Sequence, residues 1–218
     1  MNIGTTSMKF IRKRIEYFRL FLRIGSENHI IVEGRWVEVM DNYFREKVWS
    51  FSLPYYNEKD IMHGIKHIER VLKEADNLAS KYPQANRDII FAACCFHGFI
   101  YSSEEIVRTF INEINMPEEQ TEKCIRAVFE SQVGSVPETL EGKIVHDAHM
   151  IEGGKTFLVV KSLVTGTARG QSLEETLDYM DKNILYKGQC YLTEAVEKYA
   201  EKQEYLKDFM KSILGELT

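Results

Sequence analysis

Proline is scarce in this chain, four in 218 residues, and runs that alternate apolar with polar residues are rare. Little of the sequence reads as strand, so a β-sandwich or barrel gives way to helices. Cysteine is equally thin. Cys94, Cys95, Cys124 and Cys190 have neither a metal-type spacing nor the paired spacing of a disulfide framework. They read as reduced thiols of a cytoplasmic protein, with Cys94 and Cys95 packing as small hydrophobes. No apolar run approaches the ~18 residues of a membrane span, and the N-terminus lacks the continuous apolar segment of a secretory leader. Basic charge is not in excess: the net charge is −5, which argues against a general or specific nucleic-acid binder. No repeat or low-complexity linker divides the chain.

What is present suits one generous domain. Hydrophobic residues make up 44% and charged residues 28%, the balance of a globular protein with a sizeable core. The expectation is an all-α, single-domain helical bundle, with N-terminal helices of residues 1–52 packed on a helical domain of residues 53–218. Met8 to Ile24 reads as a basic, aromatic, amphipathic helix. It suits an ordinary surface helix, or a weak peripheral contact of residues 8–24 with an anionic membrane or acidic partner. A second helix is expected from Ile30 to about Ser52, followed by a loop through Leu53-Pro54-Tyr55-Tyr56-Asn57.

Asp60 to Tyr82 has the clearest helical period, which would set His63, His67, Arg70 and Glu74 along one edge. Asp88 to Phe99 is nearly all apolar and reads as a central helix ending near His97. Ser102 with Glu105, and Ser172 with Glu175, have the spacing of capping boxes. Pro117 suits a helix start. Leu140 to about Glu152 is a helix carrying His146, Asp147 and His149, and Gly153-Gly154 break it. Phe157 to Leu163 is helical by context, Thr165 to Gln171 reads as a loop, and a last helix runs from about Leu192 to Leu217.

Five of the six histidines fall in three pieces of the chain: Asp60 to Val71, Phe91 to Gly98, and Ile144 to His149. Each piece is or adjoins an apolar run, so the imidazoles are built into the helical frame. Imidazoles from two helices and a carboxylate from a third can converge on one divalent ion, leaving positions open for water and substrate. Such an ion lowers the pKa of water and polarises a phosphoryl oxygen. Taken singly, each histidine reads equally well as a satisfied core or edge residue, and the spacing alone does not decide.

The three pieces are similar to the motifs of the HD-domain superfamily of metal-dependent phosphohydrolases. That pattern is a His followed closely by Arg-Val, then a His-Asp doublet after an apolar helix, then a distant Asp, often within Asp-Ala-Asp. His67-Ile68-Glu69-Arg70-Val71 matches the first element, His97 the doublet His, and Asp147-Ala148 the last, and the resemblance spans roughly residues 55 to 215. It departs at Gly98, where the doublet has Asp, and at His149, where the final Asp is common. The resemblance implies a helical HD fold and one divalent transition metal (Mn, Fe, Ni, Co or Zn) held by His67, His97 and Asp147. His63, His146, His149 and Glu130 are the nearby groups that can stand in for the absent carboxylate.

The activity implied is hydrolysis of a small phosphorylated metabolite or nucleotide, with Asp147 at the reacting centre and His63 as proton shuttle. Arg70, Lys161 and Arg169, with Lys155, are the candidate cations for the substrate phosphate; for any one of them the plainer reading is a solvated surface charge. The alternative is a degenerate HD domain that binds a ligand or partner without turnover.

Overall fold

The computed structural model describes residues 37–132 and 134–217. Within them the chain forms helices α1 (Val37–Asn57), α2 (Ile65–Ala79), α3 (Arg87–Phe96), α4 (Ile100–Glu113), α5 (Glu118–Glu130), α6 (Leu140–Ile151), α7 (Gly154–Ala168), α8 (Leu173–Asn183) and α9 (Thr193–Leu217). No strand occurs among the described residues, so the all-α expectation holds. The helix expected over Met8 to Ile24 and the first part of the one expected from Ile30 lie outside the described residues.

α3 is the axis. Asn86 caps it, its side chain accepting from the N–H groups of Asp88 and Ile89, and Ala92, Ala93, Cys94, Cys95 and Phe96 are all fully buried. A helix apolar on every side must be covered on every side. α2 and α5 pack directly on α3, and α6 closes against α2, α3 and α5. Burial also raises the thiol pKa of Cys124 to about 12, so that cysteine, like Cys94 and Cys95, packs as a small hydrophobe. A second, smaller core of Val159, Leu177, Met180, Leu206 and Met210 joins α7, α8 and α9.

Several boundaries differ from the sequence reading. α1 runs through the expected loop, with Pro54 inside it, so a domain edge drawn at residues 52/53 falls within a helix. Proline removes one helical hydrogen bond and crowds the preceding turn, but aromatic packing outweighs this. Phe51 stacks on Phe110 with ring centroids 4.0 Å apart, and Tyr55 stacks on Phe99, also at 4.0 Å.

α2 begins at Ile65 rather than Asp60 because Gly64 is extended and the Asp60 carboxylate captures the N–H groups of Met62 and His63 in a turn. No capping box forms at Ser102: α4 starts earlier, at Ile100, and kinks at Ser103. α7 runs on through the first half of the expected Thr165 to Gln171 loop. The capping box of Ser172 and Glu175 does form, and Gly153 and Gly154 both adopt positive φ between α6 and α7.

Candidate metal centre

Three helices deliver one imidazole each to a common point. His67 lies near the start of α2, His97 is the C-cap of α3, and His149 sits in the last turn of α6. Their ring centroids form a near-equilateral triangle, 5.3 Å for His67–His97, 5.3 Å for His67–His149 and 5.2 Å for His97–His149. One potential ligand atom from each lies within 4.8 Å of the others. Burial, reinforced by His67, pushes the His97 pKa down to about 3. Burial and the two neighbouring imidazoles also hold His149 well below the ordinary histidine value. His67 is lowered too: burial outweighs the opposing effect of its hydrogen bond to Glu152. All three are therefore neutral imidazoles at pH 7, the form that ligates metals.

The groups behind the rings fix which nitrogen faces inward. His97 Nδ1 is 2.7 Å from the Cys94 carbonyl oxygen, which can only accept, so Nδ1 carries the proton. His67 Nδ1 is 2.9 Å from Glu152 Oε2, well inside the 3.4 Å to Lys161 Nζ, so the nearer acceptor takes its proton and Nδ1 is protonated. Both Nε2 atoms are left as lone pairs, and they face each other 3.2 Å apart. Two acceptors at that distance with no proton between them repel unless a cation joins them. His149 Nδ1 is a further orphan, buried and without a partner. Two nitrogens bonded to one tetrahedral Zn²⁺ at about 2.0–2.1 Å lie about 3.3–3.4 Å apart, so the donors fit such an ion.

Glu152 is the hub behind the centre. It is 3% exposed, and besides His67 it binds Arg70 Nε at 2.7 Å through Oε1 and Lys161 Nζ at 2.7 Å through Oε2. Burial disfavours its charge, but the His67 hydrogen bond and Lys161 outweigh burial and hold the carboxyl far below its ordinary pKa. Arg70 also lies over the Phe157 ring, 4.4 Å from its centroid. A cavity of about 430 Å³ opens in front of the histidines, lined also by Tyr56, Lys59, Asp60, His63, Tyr101, Gln132 and Arg169.

No family model matches the sequence, and no curated protein matches it. Solved structures do. A protein of Lactobacillus plantarum superposes with a TM-score of 0.68 at 14% identity, covering 86% of this chain and 99% of its own. An HD-superfamily hydrolase from Bacillus thuringiensis gives 0.64 at 18% identity, over 81% and 98%. Bacillus subtilis YpgQ in complex with ADP gives 0.64 at 15% identity, over 81% and 96%. The fold is HD-like.

Within this HD-like frame the expected residues divide. His67 and His97 come together, and His149 joins them in the place expected for Asp147. Asp147, on α6, is fully buried but turned elsewhere: Oδ2 accepts from the backbone N–H groups of Tyr191 at 2.8 Å and Leu192 at 2.7 Å, and Oδ1 meets His146 Nδ1 at 2.9 Å. Residues two apart on a helix project about 200° apart, so Asp147 and His149 cannot both face one point. His146 follows Asp147 away from the centre, its ring 5.2 Å from that of Tyr191. Glu130 is also elsewhere, holding Arg126 and Thr139.

Of the expected cations, Arg70 and Lys161 are tied to Glu152 behind the centre, and Arg169 lines the cavity. His63 stands at the cavity rim off the helix, its ring 5.9 Å from that of His67 and its Nδ1 2.8 Å from Asp60 Oδ1.

Sequence reasoning missed Glu152, Asp60, Tyr56 and Gln132. Glu152 is three residues beyond His149, a same-face spacing that could have flagged it. Gln132 bonds the His97 carbonyl oxygen through Nε2 at 3.0 Å; nothing local distinguished it. Tyr56 sat in the stretch read as a loop. Its hydroxyl accepts the Gly98 N–H at 3.1 Å, and a Cβ on residue 98 would lie 2.6 Å from that oxygen. Burial first, then the nearby cysteines, raises the phenol pKa well above its ordinary value.

Proposed function

We propose that this chain is a metal-dependent phosphohydrolase acting on a small phosphorylated metabolite or nucleotide, with His67, His97 and His149 holding the ion. The observation that carries the proposal is the pair of Nε2 lone pairs facing each other at 3.2 Å, each fixed from behind by an acceptor on its own Nδ1. A borderline ion such as Zn²⁺, Fe²⁺, Co²⁺, Ni²⁺ or Mn²⁺ in that nest supplies Lewis acidity toward a phosphoryl oxygen and lowers the pKa of water.

The chain's own residues do the rest. Glu152 holds the His67 tautomer and raises the basicity of its free nitrogen. Arg70 and Lys161 balance the buried charge of Glu152 and keep it ionised. Arg169 and Lys59, on the cavity wall, are the cations placed to meet a phosphate. Asp60 holds His63 through Nδ1, so Nε2 is the atom with which His63 takes or gives a proton. The cavity volume is within the usual range for a small-molecule site, and the ADP complex of YpgQ supports a phosphorylated ligand.

A second reading, binding without turnover, is favoured by one feature. The metal-ligand cluster among the described residues contains no carboxylate, and the Tyr56 ring occupies the space a side chain at position 98 would need.

The test is elemental analysis of protein purified without chelator, beside His67→Ala and His149→Ala, followed by a screen of phosphate esters. About one transition metal per chain, absent from both variants, with phosphate released from at least one ester, is the expected result. Metal without turnover selects the binding-only reading. No metal after soaking in zinc, manganese, iron, nickel and cobalt sinks the proposal.

A further inference from the structure

The cavity holds a buried phenol that neither the ligand set nor the proton shuttle uses. Tyr56 is 3% exposed and enters from the last turn of α1. Its ring packs edge-on to Phe99, with centroids 5.8 Å apart at 75°. Its oxygen accepts the N–H of Gly98, the residue next to the ligand His97, at 3.1 Å. A phenol both accepts and donates. Among the described residues no acceptor takes the proton of this hydroxyl, and the residue lines the cavity in front of the histidines.

The ring fills the space that any side chain on residue 98 would enter, and packing on Phe99 holds it in a buried seat. The result is a buried neutral donor on the wall of the cavity that the three neutral imidazoles also line. A neutral donor of this kind rewards an oxygen acceptor held at the ion, and gives little to an anion such as thiocyanate, which bonds the ion through nitrogen and leaves only a weakly accepting sulfur at its free end.

We propose that Tyr56 is a specificity residue that donates its hydroxyl hydrogen to an oxyanion of the phosphate class bound at the three-histidine centre. This rests on the phosphohydrolase reading above. The consequence is selectivity: oxyanions are favoured at the centre over anions that, once bound, present only a weak acceptor.

The test uses the full chain loaded with Co²⁺, whose visible absorption reports both uptake of the ion and anion binding. Inorganic phosphate is titrated in, then thiocyanate as the anion without oxygen. In Tyr56→Phe, Co²⁺ affinity and thiocyanate affinity should stay within about twofold of wild type, while phosphate binds about tenfold more weakly, the scale of one hydrogen bond to a charged acceptor. Equal phosphate affinity in Tyr56→Phe and wild type overturns the proposal, and so does equal weakening of both anions, which would mark a space-filling ring.

Gly98→Ala is the second variant. It keeps the phenol but pushes it from its seat, and should show the same selective loss; if Tyr56→Phe does not fold, this variant decides, and unchanged discrimination overturns the proposal. Absence of Co²⁺ uptake by wild type overturns the phosphohydrolase reading and this inference together. Uptake with no selective loss overturns this inference alone.

Discussion

At the scale of single residues, the centre is a set of neutral imidazoles, two of which, His67 and His97, are held from behind by acceptors. Glu152→Gln tests this. The variant should lose about 10–100-fold in metal affinity, because His67 is no longer held by a charged acceptor. It should also cost roughly 3–5 kcal/mol of stability, because Lys161 and Arg70 lose their buried partner; metal titration and chemical denaturation read the two effects separately.

A pH series on the metal-free protein tests protonation. Unfolded histidines titrate near 6.5, whereas His97 in the folded chain titrates at about 3 and His67 and His149 are also lowered. The unfolded state therefore binds more protons in that interval. Stability should be fully present above pH 6.5 and fall as the pH drops toward 3, by at most about 1.4 kcal/mol per pH unit for each histidine.

His67 and His97 were singled out in the sequence by the resemblance of their surroundings to the HD motifs, since apolar context and spacing alone left each open as a core histidine; the structure brings the two together. That His149 rather than Asp147 faces them was not legible in the sequence. A helix carrying both His149 and Asp147 shows that only one can face a given point, but which one depends on how α6 rolls against α2 and α3. That roll is set by packing and not by local sequence.

At the scale of elements, α9 is fastened to α6 at two places. Asp147 caps the entry to α9 by accepting from Tyr191 and Leu192. Lys202, 4% exposed, reaches back from α9 to the carbonyl oxygens of Met150 at 2.8 Å and Glu152 at 2.9 Å, satisfying the end of α6. Burial lowers the Lys202 pKa to about 8.

Asp147→Asn should therefore keep its metal, as shown by elemental analysis, yet lose about 1.5–3 kcal/mol in denaturant unfolding, the worth of hydrogen bonds to a charged acceptor. Loss of metal in that variant would return Asp147 to the ligand set. Pro54→Ala should stabilise α1 by about 1–3 kcal/mol in the same assay, since proline in a helix interior is costly.

α3 was readable from its Ala-Ala-Cys-Cys centre among helical neighbours, where periodicity alone did not decide, and α8 from the capping box of Ser172 and Glu175. The passage of α1 through Pro54 was not, because it depends on rings contributed by Phe99 and Phe110, far along the chain. The start of α2 turned on an aspartate side chain bonding the backbone, a choice that apolar periodicity does not record.

At the scale of the whole molecule, the centre ties together α2, α3 and α6, which between them carry most of the main core. Filling it should stabilise the fold as a unit. At a metal concentration about 100 times the dissociation constant, linkage adds about 2.7 kcal/mol. For a chain of this length that raises Tm by roughly 5–11 °C, and chelator should abolish the shift; a Tm indifferent to both would mean the ion, if bound, does not bridge the helices. No helix among the described residues is long and apolar enough to cross a membrane.

The seating of Tyr56 against Gly98 also constrains descent. A mutation that adds a side chain at position 98 collides with a buried ring, and one that removes the ring first opens a void costing about 3–5 kcal/mol. Neither single step is neutral, so the two positions are inherited as a pair. Lineages that keep glycine at 98 should keep an aromatic residue at 56, and those that gain a carboxylate at 98 should carry a small residue at 56.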